Sequence, residues 1–516
     1  MAAISASRHF GGTGVVLLSQ ANHVGGMMSG GLGLTDTGGA VGESLIGGLA
    51  LDFFTRVGAH YGSPKPEWYF EPHVAETIFL SMLSEAGVQV EYNITLQKVT
   101  STPQPSPRII QVVSSDGRAF GWSNGSSVFI DASYEGDLLA QAGASYAIGR
   151  EGKGEYGEDL GGVREYSPLN QFYVGLDPFD AEGKLLPLIY NGEPGTPGQG
   201  DEKVEAYNFR LCLTQLPNNS IPFTAPSDYD PKQYELFRRY AKALGTNVNV
   251  HHFFNIGSLP NKKTDVNNGG PLSTDCIGCS WSYPSANNEE RDKIWKYHES
   301  YTKGLLYFLA NDPDIPPSLR DSTKSWGYCA DEFKDNGGFP NQLYVRESRR
   351  MVGDKVFTQI NATQHISLKD RSIGCGAYNF DSHHVQRVTC QANSLQCEPS
   401  KSLHPCCKTP QQAPTAPSIY VIDEGDVQVN PGVFEIPYDT ILPKQEECQN
   451  LLVPVCVSAS HIGFCCLRLE PQFMIMGHSS GVAAVIAFKH HLPVQQVDTH
   501  LLYSVLKAEN QILSHY

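Results

Sequence analysis

The sequence predicts an α/β protein built from more than one unit, and three observations carry that prediction. Gly25 to Gly33 holds five glycines in nine positions and follows an apolar run, Val15 to Leu18, that reads as a buried strand. The elements before residue 149 run helix, strand, helix, strand meander, strand. Past Gly149 proline, asparagine and aromatic residues become frequent, and from Pro437 the periodic α/β texture returns.

Each element has its own reason. Ala2 to Phe10 reads as a helix, Gly11 to Gly14 as a turn and Val15 to Leu18 as a strand. In the glycine stretch the missing Cβ lets the backbone take positive φ and approach a bound group. Successive N–H groups in such a turn point at an anion. Met27, Met28 and Leu32 set it apart from a mobile linker, which favours serine and polar residues. Ser44 to His60 places Leu45, Leu49, Phe53 and Val57 near one helical face. Glu71 to Ala86 repeats Val74, Ile78, Met82 and Ala86 every four residues, with Gly87 as a stop. Val88 to Tyr92, Ile109 to Val113 and Ala119 to Trp122 read as meander strands, and Ser127 to Asp131 as a buried strand. This is the order of a dinucleotide-binding unit with its three-stranded crossover.

Further on, Pro231 to Leu244 and Glu289 to Ala310 read as solid helices. Leu451 to Val457 reads as a strand, and Gly477 to Lys489 as a helix with small residues in its first turns. The expected division gives 1–148 and 434–516 to one domain assembled from both chain ends. A substrate-facing domain covers 149–433, with a cysteine- and proline-rich loop at 375–417.

Composition bounds the partners. At 516 residues the chain exceeds a single core. Acidic residues number 54 against 38 basic ones, and a net charge of −16 argues against nucleic acid and anionic membranes as partners. No run of 18 apolar residues offers a membrane span. Arg8 and His9 interrupt what a signal peptide keeps apolar. Thirteen cysteines include none before Cys212 and five from Cys375 to Cys407. Only Cys276 and Cys279 have zinc-ligand spacing, and zinc needs four ligands, so no metal is expected. Disulfides are expected within 375–407, and the odd total leaves a free thiol. Sequons at Asn93, Asn124, Asn218 and Asn361 lean weakly toward the secretory pathway.

Six motifs then stand in order. They are His23 to Gly33, Ile130 to Leu139 (Ile-Asp-Ala-Ser-Tyr-Glu-Gly-Asp-Leu-Leu), Leu343 to Arg350, Tyr378 to His384, Ile436-Pro437-Tyr438, and Ser460-His461 through Arg468-Leu469-Glu470-Pro471 to Ala484. In this order and spacing the chain resembles the FAD-dependent oxidoreductases of the glutathione-reductase-like class, in the group once labelled xanthan-lyase-like. The resemblance covers nearly the whole chain. It implies an FAD/NAD(P)-binding, Rossmann-like domain with an inserted α+β substrate domain. It further implies FAD as cofactor and hydride transfer from a small organic substrate to flavin N5.

The candidate site residues follow. Gly25, Gly26, Met27, Met28, Ser29, Gly30 and Gly31 are the expected cofactor cradle, where valine at Gly30 or Gly31 is expected to block the ligand at smaller cost to folding. Asp131, Ala132, Gly136 and Asp137 match the strand end that flavoproteins bring beneath the cofactor, although Asp137 also suits a helix cap. Ser479, Gly481 and Val482 stand at an expected helix start. The resemblance puts the flavin pyrimidine edge or ribityl chain there, and a packed core helix is the other reading. Arg349 or Arg350, in the dense cluster after apolar Leu343 to Val345, reaches a substrate anion or the flavin. Asp381, His383, His384 and His461 are the candidates for proton transfer.

The chain also departs from the pattern. The family opens with a strand and a Gly-x-Gly-x-x-Gly turn that holds the FAD pyrophosphate. Here Met1 already lies in the helix, and Ser19 or Gln20 stands where an acidic ribose ligand is expected. The expectation is therefore a fragment of a longer product that purifies colourless, with leader and compartment not legible. Two rivals remain: a flavin-free scaffold or carbohydrate-binding descendant, and a polysaccharide lyase. A lyase leaves the glycine and small-residue motifs unexplained.

Overall fold

The structure is a computed structural model, and it describes residues 1–121, 125–397, 404–407 and 419–515. α1 (Ala2–Phe10) ends where Gly11 turns left-handed, and β1 (Val16–Leu18) follows. The chain then passes through α2 (Met27–Gly30), α3 (Gly48–His60) and α4 (Pro72–Glu85). β2 (Gln89–Glu91) returns to pair with β1 in parallel, which requires such a crossover. β3 (Leu96–Ser101), β4 (Ile109–Ser114) and β5 (Ala119–Phe120) form the antiparallel meander. The meander thus begins one strand later than the sequence suggests, because 89–91 belongs to the parallel pair. β6 (Phe129–Ile130) leads through Asp131 into α5 (Asp137–Gln141). Trp122 and the sequon at Asn124 lie outside the described residues.

The middle of the chain holds a sheet that the sequence did not announce. β7 (Leu211–Thr214) and β8 (Ser220–Ile221) precede α6 (Glu235–Leu244). β9 (Phe254–Leu259), β10 (Lys263–Asn268), α7 (Asn288–Asn311) and β11 (Gly327–Cys329) complete it. The antiparallel order is β9-β10-β7-β11-β8. Phe237 and Tyr240 of α6 and Leu305, Phe308 and Leu309 of α7 share one core with Leu211, Phe254 and Val266 of the strands. β10 escapes a period-2 reading because it is polar and yet buried. Its Lys263 ammonium lies 2.7, 2.8 and 2.6 Å from Glu71, Asp331 and Glu332, and that ring of carboxylates is what makes its burial tolerable.

The two chain ends pack against each other. β12 (Leu451–Leu452) pairs in parallel with β6, and α8 (His461–Leu467) and α9 (Glu470–His490) follow. α9 starts at Glu470, with Pro471 in its first turn, and not at Gly477. Ser479, Gly481 and Val482 therefore sit in mid-helix, buried, where backbone N–H groups are spent on the preceding turn. The Ser479 hydroxyl donates to the Ile373 and Ile475 carbonyls, and the Ser5 hydroxyl of α1 donates to the His478 carbonyl. A Cβ on Gly481 would lie 2.5 Å from the Ala2 carbonyl oxygen and 2.6 Å from Ser5 Cβ. The small residues make room for α1, and the expected helix start at these positions is corrected to mid-helix. Gly481→Val is expected to lower stability by about 1–3 kcal/mol by overpacking this crossing, as read by urea unfolding.

Cys276–Cys279, Cys390–Cys406 and Cys397–Cys407 are bridged, and the other seven cysteines are free and buried. Disulfides thus occur within 375–407 as expected, and the C-x-x-C pair is bridged. Residues 398–403 and 408–418 of the expected loop lie outside the described residues. Among the described residues, no helix is long and apolar enough to cross a membrane.

Candidate functional site

Three of the motifs meet at one tyrosine. Gly26 caps α2 with φ 57°, and the Met27 N–H donates to the Tyr134 hydroxyl at 2.9 Å. Tyr134 in turn donates to Glu470 Oε1 at 2.7 Å, at the start of α9. Burial pushes the Glu470 carboxyl up to about 7 against the opposing hydrogen bond from Tyr134. That first turn of α9 has no side-chain cap. Beside it Arg468 Nε and Gln472 Oε1 are buried without hydrogen-bond partners.

The glycine turn itself is closed by protein. A Cβ on Gly25 would lie 2.6 Å from the Phe79 ring, and one on Gly26 would lie 2.5 Å from the Tyr134 hydroxyl. At Gly30 it would run into Gln342 and at Gly31 into the Arg210 carbonyl. Met27 and Met28 are core residues, and the Ser29 hydroxyl donates to the Val24 carbonyl. Valine at Gly30 or Gly31 is therefore a folding variant, and the expected small folding cost is corrected: the nearest obstacle is the chain itself. At the end of β6, Asp131 accepts from Ser133 and from the Leu139 N–H at 2.8 Å. Ala132 stands exposed beyond it, and Gly136, with φ 68°, caps α5.

A dense group of buried charges lies around α8. The Arg350 guanidinium bonds Glu347 and Glu151, each at 2.6 Å, and the Gly149 and Ala459 carbonyls. His461 Nδ1 lies 2.9 Å from Glu347, and its backbone N–H donates to Glu151 at 2.7 Å. The Cys465 thiol donates to Glu205. Arg468 lies 3.6 Å from Glu205 and 3.1 Å from Asp381. His383 lies 3.0 Å from Asp275 and 3.7 Å from Asp381, and Arg346 closes the chain on Asp275 at 2.9 Å.

Among the described ion pairs, the carboxylates of Glu151, Glu205, Glu347, Asp275 and Asp381 are thus set against the guanidiniums of Arg346, Arg350 and Arg468 and the imidazoles of His461 and His383. The charges balance when both imidazoles are protonated. Burial alone would lower His461, but the Glu347 charge and hydrogen bond, with Glu205, hold it above its ordinary value. Burial and Arg346 would lower His383, and Asp381 and Asp275 outweigh them. Burial would raise Glu347, and His461 and Arg350 bring it below the ordinary carboxylate range.

Of the expected catalytic residues, His461, His383 and Asp381 come together here. His384 does not join them: its Nδ1 bonds the Glu424 carbonyl. Arg349 stands with Asp137 and Arg291 in a separate group, beside a cavity. Sequence reasoning missed Glu151, Glu205 and Asp275, which have no local pattern. It also missed Tyr134 and Glu470, although both stand inside recognised motifs. Glu205, His461 and Cys465 offer ligand atoms within 4.8 Å of one another, as do Glu71, His73 and Glu332. In each group a guanidinium or ammonium, Arg468 or Lys263, already supplies positive charge.

The family model described as "FAD dependent oxidoreductase" matches residues 1–509. No curated protein matches the chain. Among solved structures, "The structure of Diels-Alderase PyrE3 in the biosynthetic pathway of pyrroindomycins" is similar at 10% identity and a TM-score of 0.23. That similarity takes in 52% of this chain and 44% of that one, less than half its length, and a likeness so remote says nothing of activity. FAD suits the donor set at the start of α9. The unpartnered Arg468 Nε is a donor and Gln472 Oε1 an acceptor, and the pyrimidine edge of a flavin offers both complements. The chain belongs to the FAD-dependent oxidoreductases, with their Rossmann-like FAD-binding fold, and its cofactor is FAD.

Proposed function

We propose that the chain oxidises a small organic substrate by hydride transfer to FAD, with His461 and His383 as its proton-handling groups. FAD, when bound, supplies the two-electron acceptor. The uncapped first turn of α9, with Arg468 and Gln472, would hold its ring, and the ends of β1 and β6 near the glycine turn and Ala132 would take the rest, as in open α/β folds generally. Asp131, Gly136 and Asp137 shape that strand end. We read 1–148 and 434–516 as the FAD-binding domain and 149–433 as the inserted substrate domain. The β6–β12 pairing and the α1–α9 crossing support this division.

The observation that carries the reading is the buried network that balances only with both histidines charged. Glu347 fixes a proton on Nδ1 of His461 and so leaves Nε2 as the nitrogen that exchanges one. To accept a proton from a substrate hydroxyl or amine, His461 must first lose its second proton. Its raised pKa puts that loss above pH 6.5. The reductive half-reaction is therefore expected to accelerate as pH rises past 6.5. Stability runs the other way. The ion-pair contribution is full below the unfolded value near 6.5 and is lost as pH climbs through the raised folded value.

Screening sugars, amines and hydroxy acids supplies the substrate. Anaerobic stopped-flow reduction from about pH 5.5 to 9 then gives the profile. A rate that falls with pH over that range would refute His461 as the base.

A further inference from the structure

A cavity of about 460 Å³ opens between β3, α5 and the start of α7. Gln97, Gln141, Asn287, Asn288, Arg291 and Arg349 are among the side chains that line it. Asp137 lies between the two arginines, accepting from Arg349 Nη1 at 2.6 Å and from Arg291 Nη1 at 2.7 Å. The charged side chains of the lining are thus two guanidiniums and one carboxylate, which leaves one positive charge facing the space.

The two arginines differ in what they have left to give. Arg291 spends Nε on the Tyr283 carbonyl and Nη2 on the Pro284 carbonyl. Arg349 gives Nη1 to Asp137 and to the Glu135 carbonyl, and its Nε is enclosed by protein; among the described residues Nη2 makes no hydrogen bond and is the guanidinium nitrogen left to give. The Tyr146 ring packs 5.3 Å from the Arg349 guanidinium and steadies it. Glu135, the other carboxylate close by, is bonded to Tyr283 and does not line the cavity. A guanidinium N–H with no protein partner is a charge-assisted donor that suits a carboxylate oxygen. One net charge suits a monoanion better than a phosphate dianion. The carboxamides of the wall offer donors and acceptors together, which is the complement of hydroxyl groups.

We propose that this cavity binds a small polyhydroxylated carboxylate, its carboxyl group on Arg349 and its hydroxyls on the carboxamides. The site stands apart from the hydride-transfer reading, because binding is measured without turnover.

The test uses the purified full chain, calorimetry and four probes: D-gluconate, its neutral analogue D-glucitol, acetate and ADP. Gluconate is expected to bind, glucitol to show no binding, and acetate to bind at least about tenfold more weakly. ADP is expected to leave gluconate binding unchanged. Arg349→Met is expected to abolish gluconate binding. Because that change also frees Asp137, Gln141→Leu on the exposed rim serves as the second variant, with about fivefold weaker binding expected. Absence of gluconate binding, equal binding of glucitol, displacement of gluconate by ADP, or unchanged affinity in Gln141→Leu would each overturn the assignment.

Discussion

Arg350→Met is expected to cost about 3–5 kcal/mol of folding stability, because it removes one side of a buried ion-pair network and leaves the other in place. The Arg350 side chain is 1% exposed and bonds Glu347, Glu151 and two backbone carbonyls. Without it, two carboxylates remain in the interior with His461 as their remaining imidazolium. Methionine fills much of the volume, so the loss measures charge and not a void. Arg118→Met is the control: its pairs with Glu91 and Asp116 lie on the surface, the arginine being 44% exposed, and solvent-screened pairs of this kind add little to stability. Urea unfolding of the two variants beside the parent reads the difference. Equal midpoints for Arg350→Met and Arg118→Met would mean that the network is not a structural unit.

His461→Gln is expected to slow flavin reduction by about 10²–10⁴-fold, the usual worth of a positioned acid–base group, with FAD content unchanged. Glutamine retains a donor for Glu347 and similar bulk, so the Glu347–Arg350 pair stays hydrogen-bonded. What it lacks is a nitrogen that titrates near neutrality. The rise in rate above pH 6.5 is accordingly expected to flatten in the variant. Stopped-flow traces with flavin content measured on the same samples check both parts, and a rate within twofold of the parent would return His461 to a purely structural role.

Much of the fold was legible, and the failures have physical causes. α4 is legible because Val74, Ile78, Met82 and Ala86 recur every four residues and Gly87 marks its limit, and the helix read over Glu289 to Ala310 is α7, which Asn287 caps in the structure. A start at Gly477 falls seven residues late for α9 because small residues imitate a helix start, although Pro471 is the better sign of a first turn. The β7–β11 sheet was invisible because β10 buries Lys263, Thr264 and Asp265, whose polarity erases the alternation that marks a strand. Positive φ at Gly25, Gly26 and Gly31 was readable, but the reason for it, packing against Phe79, Tyr134 and Arg210, was not.

The site was half legible for the same reason. A dense Arg346–Arg350 cluster behind three apolar residues announced burial and a need for carboxylates. The partners lie far off in sequence: Glu151 is 199 residues from Arg350, and Glu347 is 114 from His461. No local pattern connects them. A buried acid such as Glu205 looks like any surface glutamate until the fold encloses it.

The charge balance of the network is tested most directly by the protonation of its two histidines. Side-chain nitrogen NMR of the labelled protein, with His461→Gln and His383→Gln assigning the signals, follows each imidazole across pH. The account predicts that both are imidazolium at pH 6.5 and lose the second proton only above it. Neutral imidazoles at both positions at and below pH 6.5 would contradict it, since the five carboxylates would then face three guanidiniums alone.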